Sequence, residues 1–166
     1  NKMVSDLGAT PVGMPVPAVP EALSKGVIDA AVIPWEVTAA LKVPELVSNH
    51  TEFGDESLYT TAFVLAMNKQ KYDSLSDENK AAIDSMSGAD FSAIAGRDMA
   101  GADVPSRAAA AANGNNIITL NAAQVAEWKA AASSVETGWV AEMNDKGFDG
   151  QALLDQAKAL IKKNGM

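Results

Sequence analysis

The sequence predicts a helix-rich α/β fold. Short apolar, β-branched runs alternate with helical segments early in the chain. The later part is rich in Ala, with larger apolar residues at three- and four-residue steps. Pro and Gly mark the junctions between these segments. With 166 residues, 48% hydrophobic and 20% charged, the chain suits one domain or two small lobes. A core of that size needs no metal or disulfide staple.

Each element has a local reason. Met3, Val4 and Leu7 recur at helical spacing over residues 1–9, and Gly8 is a natural stop. Residues 10–14 are short and apolar and predict a strand. Pro15 and Pro17 then fix an extended turn, and a short helix over 18–25 ends at Lys25 and Gly26. Residues 27–33 (VIDAAVI) predict a second strand, ended by Pro34. This strand–helix–strand unit predicts a parallel pair. Residues 35–58 read as irregular, with one short helix after Thr38 and a turn at EFGDES. Residues 58–67 (LYTTAFVLAM) are the strongest strand signal, near-continuously apolar and so expected to be buried on both faces.

The rest reads mainly as helix. Ser76 is an N-cap, with Asp77 and Glu78 in the favoured first turn. A long helix runs from Asp77 to about Asn113, with Gly88, Gly101 and Pro105 as candidate breaks. Asn113-Gly114-Asn115 stops it, and Ile117–Leu120 is a short strand. Asn121 caps a helix that reaches about Asp145 and closes at Gly147. A final amphipathic helix covers about Gln151–Lys162.

Composition removes several functions. Lys plus Arg is 13 against 21 for Asp plus Glu, a net charge of -8. Such a surface repels phosphate backbones and acidic membranes, so no nucleic-acid partner is expected. There is no cysteine, which excludes thiolate nucleophiles, iron–sulfur clusters and Cys-ligated zinc. His50 is the single histidine, so one chain holds no His–His metal site. Neither a phosphate loop, nor GxGxxG after a strand, nor GxSxG is present. No metal or cofactor is expected, and no catalytic residue is assigned.

A few residues remain as candidates. His50 lies among polar neighbours and reads as a solvated loop residue. The Asp55/Glu56 and Asp77/Glu78 pairs read as turn solvation and helix capping. Asp29 interrupts an apolar run and reads as a solvent-facing strand residue. Trp128 and Trp139 are three helical turns apart and read as core. Trp35 and Glu36 differ, because they follow a proline at the C-terminal end of an expected strand. Open α/β sheets bind ligands there.

The stretch Leu7–Glu36 resembles the solute-binding proteins of TRAP transporters, the DctP-like family. The resemblance is carried by Gly8-Ala9-Thr10-Pro11, Met14, Val19, Ala22-Leu23 and Gly26-Val27-Ile28-Asp29-Ala30. Phe63–Ile83 (FVLAMNKQKYDSLSDENKAAI) resembles a second family passage of strand, Asn-Lys turn and helix. The resemblance implies a periplasmic-binding-protein-like fold in an incomplete two-lobe form, this chain being similar to the C-terminal half. It implies that residues 1–57 and 101–166 belong to the second lobe and 58–100 to the first. It implies a periplasmic receptor, not an enzyme, that closes over an organic acid and passes it to the membrane subunits of a TRAP transporter. The family's carboxylate-clamping arginine falls before the position equivalent to Asn1.

Two family pocket positions align with Val16 and Ile33, where an aromatic and an Asn are common. Both departures make the pocket more apolar and remove an amide donor. Trp35 and Glu36 supply a stacking face and an acceptor instead. Position alone adds Tyr59 and Thr61 at the start of the 58–67 strand. The expected solute has one carboxylate and a sizeable apolar or aromatic part. Because too few strands are present to cover residues 58–67, a missing N-terminal half or self-association is expected as partner. The competing readings are a small acidic enzyme using carboxylates near Asp29, Glu36 and Asp55, and a sensory ligand-binding domain of the same fold.

Overall fold

The computed structural model describes residues 1–164, so the last two residues of the expected 101–166 segment lie outside the described residues. The chain divides into two compact units: Met14–Thr119, and Asn1–Gly13 with the chain from Leu120 onward. In the central unit, α2 (Val19–Ser24) begins with Pro20 in its first turn, where the missing N–H costs nothing. It ends at Gly26, whose φ of 66° a side-chain-bearing residue adopts only with strain. Its inward face, Val19 and Ala22, is buried.

Next comes α3, a single turn over Trp35–Thr38. The sequence placed a short helix after Thr38. The turn starts earlier because extended Pro34 is its N-cap and the Thr38 hydroxyl donates back to the Trp35 carbonyl at 2.8 Å. It packs on α6 (Gly88–Ala112), where buried Ser106 donates to the Glu36 carbonyl at 3.3 Å. The expected long helix is broken once, before Gly88, into α5 (Asp77–Ser85) and α6. The Ser76 side chain accepts from the Asn79 amide, as its capping role predicts. A short helix α4 (Lys69–Asp73), capped by Asn68, precedes them where the sequence suggested only a turn. Pro105 sits within α6 without ending it.

One parallel pair is formed among the described residues: β1 (Asn49–Glu52) beside β2 (Asn116–Thr119), in register Asn49↔Asn116 to Glu52↔Thr119. Asn113 and Asn115 seat β2 by donating to the carbonyls of Pro44 (2.7 Å) and Val47 (2.8 Å). The sequence indicated β2 but read β1 as irregular. Its residues, NHTE, are polar and carry one β-branched side chain, so only pairing reveals the strand.

Three expected strands are absent from the described ladders. Residues 10–14 and 27–33 are not paired, and the parallel pair expected between them is not formed. Residues 58–67 are also unpaired, and they are exposed rather than buried: Phe63 is 70%, Val64 85% and Leu65 85% accessible. A strand is completed by its neighbour, and none of the described residues supplies one. Other large apolar side chains are open as well, among them Val27 at 63% and Val104 at 73%. Much apolar surface therefore lacks a covering layer.

The other unit holds α1 (Lys2–Asp6), α7 (Ala122–Asp145) and α8 (Gly150–Asn164). Asn121 and Gln124 form a reciprocal capping box at the start of α7, with contacts of 2.9 and 3.0 Å. Gly147, at φ 85°, turns the chain toward α8. Gly150 then lies against α7, where an added Cβ would be 2.5 Å from the Val140 carbonyl oxygen. Asp6 pairs with Lys2 at 2.8 Å and accepts from Ser134, tying α1 to α7. Trp139 is 38% exposed, so the tryptophan stripe of α7 is not the closed core expected of it. Among the described residues, no helix is long and apolar enough to cross a membrane.

Candidate functional site

The central unit carries a cleft of about 510 Å³ between α3, the turn after β1 and α6. Trp35, Phe53 and Val104 give it apolar walls, and Arg107 and several carboxylates edge it. Trp35 is there because extended Pro34 starts α3, and because α3 packs on α6. Its ring lies beside that of His50, with centroids 4.9 Å apart and planes tilted by 32°, a favourable offset arrangement.

Glu52, the last residue of β1, is the electrostatic centre. Arg107 grips its carboxylate with two parallel bonds, Nε to Oε2 and Nη2 to Oε1, both 2.8 Å. The Thr119 hydroxyl donates to Oε1 at 2.6 Å, and the Trp35 side chain lies close by. The Arg107 guanidinium foremost, against the cost of burial and with help from Thr119 and Trp35, holds the Glu52 carboxyl down at about 2. The same pairing pushes the Arg107 value up. Parallel pairing to β2 brings Thr119 to this carboxylate, and one face of α6 brings Arg107.

His50 corrects the sequence reading. It is half-buried on β1, not solvated in a loop, and its Nε2 is 3.3 Å from Asn115 Oδ1. The Asn115 amide nitrogen already donates to the Val47 carbonyl. Its Oδ1 is therefore the acceptor and His50 Nε2 the donor.

The six sequence candidates fare unequally. Trp35 lines the cleft, with Glu36 beside it in the same turn. Burial foremost pushes the Tyr59 phenol up, opposed by the nearby Thr61 side chain and aided by the Glu36 charge. Glu36, Tyr59 and Thr61 are not among the cleft-lining residues. Val16, 41% exposed on a 3-10 turn, and Ile33, half-buried before Pro34, are not among the cleft-lining residues. Asp29 is exposed, as expected. Glu52, Arg107 and Thr119 were not singled out from the sequence, and His50 was read there as a solvated loop residue. The available signal was weak: Arg107 is one of two arginines in the chain and directly precedes the Ala108–Ala112 run.

Chemically, the cleft offers aromatic walls and one guanidinium already committed to Glu52. Among the described residues that line it, Arg107 is the one cation. Among the described residues no group of three or more His, Asp or Glu is placed to hold a metal ion.

A family profile described as bacterial extracellular solute-binding protein, family 7 (DctP) matches residues 1–144. The chain belongs to this family. A TRAP solute-binding protein of Rhodoferax ferrireducens, solved with copurified benzoate, is 48% identical, with a TM-score of 0.93 over 98% of this chain and 51% of that one. A marine-metagenome TRAP solute-binding protein specific for aromatic acid ligands, solved with 3-hydroxybenzoate, is 46% identical, with a TM-score of 0.90 over 99% and 52%. The curated outer membrane transporter protein TsaT of Comamonas testosteroni is 29% identical over 99% of this chain and 48% of its own length. The chain spans about half the length of these relatives. The DctP resemblance and the helix-rich α/β class are thereby established, and the structural neighbours are binding proteins rather than enzymes.

Proposed function

We propose that this chain is part of a periplasmic receptor that binds an aromatic monocarboxylate and delivers it to the membrane subunits of a TRAP-type transporter. One observation carries the reading: the two similar structures, at 46–48% identity, hold benzoate and 3-hydroxybenzoate. The residues agree with it. Val16 and Ile33 are apolar where the family often has an aromatic and an amide, and Trp35 offers a flat face for a ring. Glu36 follows Trp35 in the same turn, and Tyr59 and Thr61 are expected to add polar groups for the solute. In this reading residues 58–100 belong to a first lobe, and residues 1–57 and 101–166 to the second. In this reading the carboxylate is gripped by the arginine that the family resemblance places before Asn1, and Arg107 stays bound to Glu52.

The test is a thermal-shift panel on the full-length protein containing this chain. Benzoate and 3-hydroxybenzoate are expected to raise the Tm, as any ligand selective for the native state does. Succinate and malate are expected to leave it unchanged. Stabilisation by the dicarboxylates alone would refute the reading.

A further inference from the structure

We propose that His50 is a positioning residue, which holds the Trp35 indole as the wall that distinguishes an aromatic ring from a saturated one. The inference rests on the aromatic-acid reading above and goes beyond it in naming what fixes the wall. Trp35 is held from several sides. The His50 ring lies beside it at 4.9 Å, and the Glu52 carboxylate lies close to its side chain. The Thr38 hydroxyl holds its carbonyl at 2.8 Å. Both flanking groups are themselves fixed: His50 by Asn115, and Glu52 by Arg107 and Thr119. Asn115 is anchored in turn to the Val47 carbonyl. His50 and Glu52 lie two apart on β1, so both side chains leave the same face of the strand, the one that meets Trp35.

A side chain locked before the ligand arrives loses little entropy on binding. A free indole would have to be ordered by the solute itself. Stacking distinguishes a benzene ring from a cyclohexane ring of similar size by roughly three- to tenfold in affinity. That ratio depends on ring placement, whereas general folding stability acts on both ligands alike.

The experiment compares benzoate with cyclohexanecarboxylate by calorimetry on the full-length protein. Two variants separate the functions of His50. His50→Phe keeps a flat ring beside the indole and loses the bond to Asn115. His50→Gln keeps a donor for Asn115 and loses the ring. The expected result is a near-normal preference for benzoate in His50→Phe and its loss in His50→Gln. The reverse order, or equal weakening for both ligands, would overturn the proposal. If His50→Gln fails to fold, His50→Leu decides, since it keeps apolar bulk and loses the flat ring: the preference should vanish with Leu and survive Phe, and equal behaviour would overturn the proposal. A wild-type protein that binds no aromatic acid removes both this inference and the reading beneath it. Normal benzoate binding with an unaltered preference in every variant removes the inference alone.

Discussion

Replacing Glu52 with Gln should cost stability in a way that depends on pH. The native carboxyl is held at about 2, against an ordinary value of 4.5. That difference corresponds to about 3 kcal/mol when the carboxylate is charged. The Glu52 side chain is 18% exposed but that of Arg107 is 47% exposed, so water screens the pair and the realised figure is nearer ~2 kcal/mol. A depressed native value gives stability that is present above 4.5 and lost as pH falls toward 2. Glu52→Gln removes the charge but leaves an amide of the same shape. The gap between wild type and variant should be widest at pH 7 and about halved at pH 3. The assay is urea unfolding of the full-length protein, read from the fluorotryptophan NMR signal of Trp35, which reports on this unit alone. A gap of the same size at pH 7 and pH 3 would show that packing, not the ion pair, sets the cost, and would refute the argument.

Two further predictions concern the unit built on α7. Gly150→Ala places a methyl 2.5 Å from the Val140 carbonyl oxygen, so α8 must shift off α7; hydrogen exchange in α8 should rise while that in α6 stays unchanged. Asn121→Ala removes one arm of the capping box and should cost about 1 kcal/mol in urea unfolding, with faster exchange in the first turn of α7. Unchanged exchange there would mean that the box contributes nothing.

The helices were legible because their signals are local. Ser76 and Asn121 cap the turns that follow them, and Gly26 and Gly147 take the positive φ that ends a helix. Apart from β2, the strands were misread, because a strand needs a distant partner. LYTTAFVLAM has the right residues and no ladder among the described residues, while NHTE has the wrong ones and pairs with NIIT. The site divides in the same way. Trp35 and Glu36 were visible from the proline before them. Glu52, Arg107 and Thr119 meet across 55 and 67 residues of sequence, and no spacing rule joins them. Excess apolar surface was also foreseeable, since an apolar run with too few covering strands has to remain open.

The proposed solute is an aromatic monocarboxylate. Calorimetric titration of the full-length protein with benzoate and, separately, with succinate separates it from a dicarboxylate. Saturable one-to-one binding of benzoate is expected, roughly tenfold or more tighter than any binding of succinate, because an apolar wall cannot satisfy a second carboxylate. Tighter binding of succinate, or no binding of benzoate at millimolar concentration, would contradict it.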